Sequence, residues 1–220
     1  MREQNAVFCS RRIPQVNPLR SQIFFASGFV PFMSGSLFDR AGQRKYLVGS
    51  ERRAFVRCAS RREDATASFC LTLAVTGARI SEVLALTYDR VDSVNRVLVF
   101  RTLKQRGKVT HRAIPVPLWL LHQLRRGRIH AAQRLWPWGR TKAWKLVKSV
   151  MREAGIAELL SKPKALRHAF AIEAGQQGVP LNIVQRWLGH ARIETTAIYS
   201  TALGPEERNL ARRSWKALKI

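Results

Sequence analysis

Apolar residues recur first with the spacing of helices, briefly with that of strands, and then with helical spacing to the end of the chain. Order is expected from near Tyr46, where Ser50 is placed to cap a helix, Glu51 suits its first turn, and Phe55, Val56 and Cys58 return to one side. A second helix carries Phe69, Leu71, Leu73, Ala74 and Val75. Gly77 then turns the chain into a third helix from about Arg79 to Tyr88, with Val83, Leu84 and Leu86 facing inward. Two or three short strands follow: V-L-V-F after Arg96, and Arg112 to Val116, joined by a basic hairpin around Gly107. After Pro117, Gly and Pro signals divide the sequence into helices over about 118–132, 140–154, 164–177, 180–188, 193–201 and 205–216. The pattern predicts a mainly α fold with a small antiparallel β-hairpin sheet, free of internal repeats and low-complexity sequence.

The two ends read differently. Residues 1–44 are expected to be a loosely ordered extension, with Met33 as a second possible start. Ile23 to Met33 is apolar and follows several arginines, but Gly28 and Pro31 break it, and it is far short of the ~20 residues that a membrane helix needs. No membrane partner is expected. In the tail, 204–220, Pro205 suits a first helical turn, Glu206 and Glu207 complement its positive end, and the later Arg and Lys complement the other. Leu210, Ala211, Trp215, Leu218 and Ile220 give this helix an apolar face that needs a partner.

Composition adds a polyanionic partner. In 220 residues, 39 Lys and Arg stand against 14 Asp and Glu, for a net charge of +25. Such a surface attracts phosphate and releases counterions on binding, so nucleic acid is the first expectation. The excess is uneven: Ser93 to Arg152 holds fifteen Lys and Arg and no Asp or Glu. A plain solvated face is the common reason for a charge run, but the exclusion of acids over this length favours a surface that faces DNA. Arg125, Arg126, Arg128, Arg140, Lys142, Lys145 and Lys148 are assigned to phosphates rather than base edges. Trp136 and Trp138, beside prolines, read as core packing more than base stacking. Cys9, Cys58 and Cys70 have no metal-ligand spacing, which suggests reduced thiols in a cytoplasmic protein without structural zinc.

The candidate chemistry lies mostly in the last third. Arg79 in T-G-A-R-I-S-E, Lys164 and Arg167 in K-A-L-R-H, His190 in L-G-H and Tyr199 nine residues later make a set suited to a phosphodiester. Two arginines can clamp the nonbridging oxygens, and a histidine can add a donor as negative charge grows there. A tyrosine hydroxyl nearby is a candidate nucleophile. Such a set needs neither a metal nor a nucleotide cofactor.

These motifs, in this order, resemble the catalytic domain of the tyrosine recombinases, the phage integrase family, over about Lys45 to Leu203. The resemblance implies a tyrosine recombinase fold for 45–203 and a C-terminal helix at 204–220 that either docks on a neighbouring protomer, as in similar recombinases, or packs back on its own domain. It makes Tyr199 the nucleophile, Arg79, Arg167 and His190 phosphate ligands, and Lys104, on the hairpin, the general acid. Lysine can be tuned to release a proton to the departing 5′ oxygen, as arginine cannot. Arg106 and Lys108 beside it are DNA contacts, and Glu82 is expected to orient a neighbouring cation. Lys164 stands where the family usually has histidine. It can still hold phosphate, but would need a depressed pKa to act as a base. His168 is set aside because one residue along a helix turns about 100° away.

The implied activity is site-specific recombination of double-stranded DNA through a 3′-phosphotyrosyl intermediate. It would proceed without cofactor, in a homo-tetramer on paired sites, with DNA-bending accessory proteins as further partners. The alternatives are a topoisomerase IB-like nicking and relaxing enzyme, and a catalytically silent DNA-binding regulator.

Overall fold

The computed structural model describes residues 37–102, 110–125 and 130–201, together with Arg212 and Trp215. The described elements run α1 (Gly49–Ser60), α2 (Asp64–Thr76), α3 (Ile80–Leu84), β1 (Val91–Asp92), β2 (Val97–Thr102), β3 (Thr110–Pro115), α4 (Leu118–Leu124), α5 (Arg140–Glu153), α6 (Pro163–Gln176), α7 (Leu181–Leu188) and α8 (Glu194–Ala197). Single 3₁₀ turns lie at Tyr88–Arg90, Glu158–Leu160 and Ile198–Thr201. The mainly helical fold with a small antiparallel sheet is the one the hydrophobic pattern predicts.

The central element is α2. It is buried on nearly every side and packs against α1, α4 and α6. A helix apolar all round belongs in a core, and its Thr72 and Thr76 avoid a desolvation penalty by donating to the carbonyls of Ser68 and Thr72. Gly77 ends it at φ +60°, its N–H donating to the Leu73 carbonyl. Around α2, Phe55, Phe69, Leu73, Phe100, Leu120 and Trp136 form the main cluster. Trp136 lies edge-on to Phe69, and its indole N–H reaches the Ala65 carbonyl, which fixes it as a core residue.

The sheet has the order β1-β2-β3, all antiparallel, with Val97 opposite Pro115 and Thr102 opposite Thr110. Leu98 and Phe100 on β2, and Arg112 and Ile114 on β3, point inward by the alternation of strand side chains. The sheet stem therefore carries one buried charge.

Several sequence-based bounds are corrected. The first helix starts after Val48 rather than at Ser50, because the Glu51 carboxylate accepts the Val48 N–H at 2.9 Å and also pairs with Arg44. The helix expected to reach Tyr88 stops at Leu84, and the one expected to reach residue 132 stops at Leu124. Both stop for one reason: the segment 131–135 pairs with 86–89. The Asp89 N–H donates to the Ala131 carbonyl, the Leu135 N–H donates to the Leu86 carbonyl, and Thr87 bridges Arg134. Extended pairing has replaced the helical hydrogen bonds that either continuation would have made.

A second cluster joins Leu37, Tyr46, Phe170, Ile172, Val184, Leu188 and Tyr199. Leu37 and Phe38, placed by sequence in the extension, take part in it; the turn they open closes through a bridge between Phe38 and Arg44. Most of the expected C-terminal helix lies outside the described residues, as does Cys9; Arg212 and Trp215 are helical and exposed. Among the described residues no helix is long and apolar enough to cross a membrane, and no group of His, Cys, Asp or Glu is arranged to hold a metal.

Candidate functional site

Arg79 occupies the N-cap of α3, held there because the Glu82 carboxylate accepts its backbone N–H at 2.8 Å and its guanidinium N–H at 2.8 Å. Glu82 itself is fully buried. Its other contact is Arg112 on β3, whose Nη2 donates to Oε2 at 2.7 Å. Burial opposes the charge on Glu82, but hydrogen bonding and attraction from Arg112, then Arg79, outweigh it and lower its pKa. Arg112 also donates to Thr102 Oγ1 at 3.0 Å and to the Trp187 carbonyl at 2.8 Å. Sheet, α3 and the end of α7 are thus tied to one carboxylate.

Arg167, on α6, is anchored at both amino groups: Nη1 donates to the Gly77 carbonyl at 2.8 Å and Nη2 to the Leu188 carbonyl at 2.7 Å. Both acceptors belong to turns with a left-handed glycine, Gly77 after α2 and Gly189 after α7. Burial, followed by repulsion from Arg79, brings its pKa down to about 10, so it stays charged at neutral pH. Two of its five N–H donors serve these carbonyls, which leaves others for a ligand.

His190 follows Gly189, with Nδ1 at 2.9 Å from Thr196 Oγ1 on α8. Burial, then the charges of Arg167 and Arg79, push its pKa down to about 3. It is neutral at physiological pH, so one ring nitrogen can donate to an anion while the other meets Thr196. Its ring lies nearly parallel to that of Tyr199, with centroids 6.3 Å apart.

Tyr199 sits in the 3₁₀ turn after α8 and is 6% exposed. Its hydroxyl lies 3.1 Å from His168 Nδ1. Burial raises its pKa, a rise that Arg167 and Arg79 only partly offset, so the phenol is neutral in this state. Burial, then Lys164, Arg167 and Lys45, push the pKa of His168 down to about 4.

The structure thus gathers Arg79, Glu82, Arg167, His190 and Tyr199. Lys164 is exposed on the first turn of α6, and the residue in reach of the Tyr199 hydroxyl is its neighbour one turn on, His168. The helical rotation that argued against His168 is what turns it toward Tyr199. Arg112 was also missed, although its phase on β3, in step with Ile114 and Val116, was a readable sign of burial. Thr196 carried no such sign.

Lys104, Arg106 and Lys108, and likewise Arg126 and Arg128, lie outside the described residues. Of the other basic candidates, Arg140, Lys142 and Lys145 are exposed on the first half of α5, and Lys142 lies over the Trp138 ring. Lys148 is less free, paired with Glu158 and lying over Trp144. Arg125 caps α4 and donates to Ser93 Oγ at 2.8 Å.

Comparison with known proteins places this arrangement. The sequence model described as the phage integrase family matches residues 49–204, and the chain belongs to that family. It is 36% identical over 135 residues to tyrosine recombinase XerD of Corynebacterium glutamicum, a match covering 57% of this chain and 44% of the relative. The chain therefore spans less than half of that relative's length. Among solved structures, XerH recombinase bound to palindromic difH substrate in a post-cleavage complex superposes with a TM-score of 0.65 at 20% identity, covering 78% of this chain and 53% of that one. The catalytic domain of bacteriophage HP1 integrase gives 0.56 at 21% identity, covering 76% and 93%. The fold is that of tyrosine recombinase catalytic domains.

Proposed function

We propose that this chain carries the catalytic domain of a site-specific DNA recombinase that breaks and rejoins strands through a 3′-phosphotyrosyl intermediate. The observation that carries the reading is the placement of Tyr199 against His190, in the electrostatic field of Arg167 and Arg79. A phosphate drawn to the two arginines would meet a phenol oxygen from one side and a neutral imidazole donor from another.

In this reading Arg79 and Arg167 clamp the nonbridging oxygens and stabilise the charge of the pentacoordinate transition state. Glu82 orients Arg79 and, through Arg112, the stem of the hairpin that bears Lys104. His190 donates to a nonbridging oxygen. Tyr199 attacks phosphorus as its hydroxyl proton passes to solvent, the 5′ oxygen departs with a proton from Lys104, and the reverse steps join that 5′ hydroxyl or a new one. Lys164, exposed beside the site, serves as a phosphate ligand. The cations supply the positive charge that a metal provides elsewhere, so cleavage should proceed in EDTA.

Double-stranded DNA is the proposed substrate. The likeness to the tyrosine recombinase XerD, and to a Tn1549 transposon integrase solved in complex with transposon right end DNA, supports it. Arg140, Lys142, Lys145 and Arg125 are the described residues proposed to lie on phosphates. A tetramer on two sites, with the C-terminal helix passed between protomers and DNA-bending proteins assisting, is the proposed assembly, acting in the cytoplasm. The test is a nicked suicide duplex bearing the genomic flanks of the gene. A covalent protein–DNA adduct is expected in EDTA, and its absence on a bound duplex would favour a silent DNA-binding protein.

A further inference from the structure

Of the groups around the site, His168 has the least obvious structural reason to be what it is. It lies among the buried residues of α6, 6% exposed, between Leu166, Ala169 and Phe170. An apolar side chain would fill that place without any polar atom to satisfy. Instead an imidazole stands there with Nδ1 at 3.1 Å from the Tyr199 hydroxyl and Nε2 buried without a hydrogen-bond partner among the described residues. An unpartnered buried polar atom destabilises a fold, and such atoms cluster where a chemical task needs them.

The tautomer follows from counting partners. If Nδ1 carried the proton, the ring would donate to the phenol oxygen, leaving both the phenol hydrogen and the bare Nε2 without partners. If Nε2 carries it, Nδ1 accepts the phenol hydrogen and only Nε2 is unmatched. The second arrangement leaves fewer groups unsatisfied. It also directs the one hydrogen of the hydroxyl at His168, so that the oxygen lone pairs point away from α6. Attack on phosphorus needs a lone pair, not the hydrogen, on the side of the incoming phosphate.

We propose that His168 is a positioning residue for Tyr199, an acceptor that fixes the phenol's hydrogen and so aims its oxygen for attack; this rests on the recombinase reading above. His168 touches neither phosphate nor leaving group. It acts through Tyr199, whose ring is also flanked by His190, so that two imidazoles hold one phenol from different elements.

The test uses the full chain and the suicide duplex, with wild type, His168→Asn, His168→Leu and Tyr199→Phe compared in single-turnover cleavage and in DNA affinity. Asparagine keeps a short acceptor near the position of Nδ1; leucine removes it and keeps the volume apolar. Cleavage by His168→Leu should fall roughly a hundredfold, the scale of a misplaced reacting group, with DNA affinity unchanged. His168→Asn should recover most of the rate. Wild-type cleavage by His168→Leu, or an asparagine variant as slow as the leucine one, would overturn the proposal. No Tyr199-dependent adduct from wild type would mean that the recombinase reading itself had failed. A second measurement needs no His168 variant: ¹⁵N-histidine NMR of wild type and Tyr199→Phe. Loss of the hydroxyl should move the His168 Nδ1 resonance toward that of an unbonded nitrogen, and an unchanged resonance would contradict the contact.

Discussion

Arg112 and Glu82, thirty residues apart, meet in the core: Nη2 of the arginine donates to Oε2 of the carboxylate at 2.7 Å with both side chains buried. The same carboxylate holds Arg79, so the stability of the fold and the aim of a proposed phosphate ligand depend on one charge. Glu82→Gln should destabilise the domain by roughly 3 kcal/mol in urea unfolding, because a buried guanidinium loses its counter-charge. Arg112→Met added to it should restore part of that loss. Strict additivity of the two changes would show that the pair is not coupled.

Gly77 offers a cleaner separation of local strain from site geometry. Its φ is +60°, a Cβ there would lie 2.4 Å from Phe170 Cδ1, and its carbonyl receives Arg167. Gly178 has φ +78° with nothing within 4 Å of such a Cβ. Alanine at either position brings left-handed strain of about 1 kcal/mol. Gly77→Ala alone should add about 1–3 kcal/mol of overpacking and a loss of cleavage. Equal melting temperatures and equal cleavage for the two variants would contradict the Arg167 anchor.

Acid should weaken the fold through His168. Its pKa, about 4 when folded, is lowered from an ordinary value near 6.5. Between those values the unfolded chain binds the proton more readily, so stability is full above about pH 6.5 and falls as pH drops toward 4. From pH 7 to 5 the loss through this residue is about 2 kcal/mol. His168→Leu should flatten the pH dependence of urea midpoints in that window, and an unaltered slope would count against the buried neutral imidazole.

On α5, exposure ranks the basic residues. Lys142→Gln and Lys145→Gln should each weaken DNA binding across sequences and lower the slope of log affinity against log salt by about one. Lys148→Gln should do less, since Glu158 already holds its ammonium. Salt titrations of binding to a fixed duplex give the three slopes directly; an equal or larger effect at Lys148 would argue against α5 as the phosphate-facing element.

Much of this was legible in the sequence because short-range rules govern it. The Gly77 and Gly189 turns, the helices at 140 and 164, and the motif residues Arg79, Arg167, His190 and Tyr199 are fixed by local spacing. What escaped came from long-range pairing. The ends of α3 and α4 depend on 131–135 lying beside 86–89, a contact of two segments that neither announces. Arg112 was hidden because a charge in a strand reads as a surface residue unless the alternation is trusted over its chemistry. His168 was lost because helix rotation was reckoned from Arg167, one residue before it, when the direction that mattered was that of Tyr199, and the turn after α8 decides it.

The most direct measurement is to locate the covalent bond itself. Adduct formed on the suicide duplex in EDTA should be digested with trypsin and nuclease and sequenced by mass spectrometry. The account predicts a single nucleotide-modified peptide, modified at Tyr199, and no adduct from Tyr199→Phe. Modification at another residue, such as Tyr88, or adduct that persists in the phenylalanine variant, would contradict it.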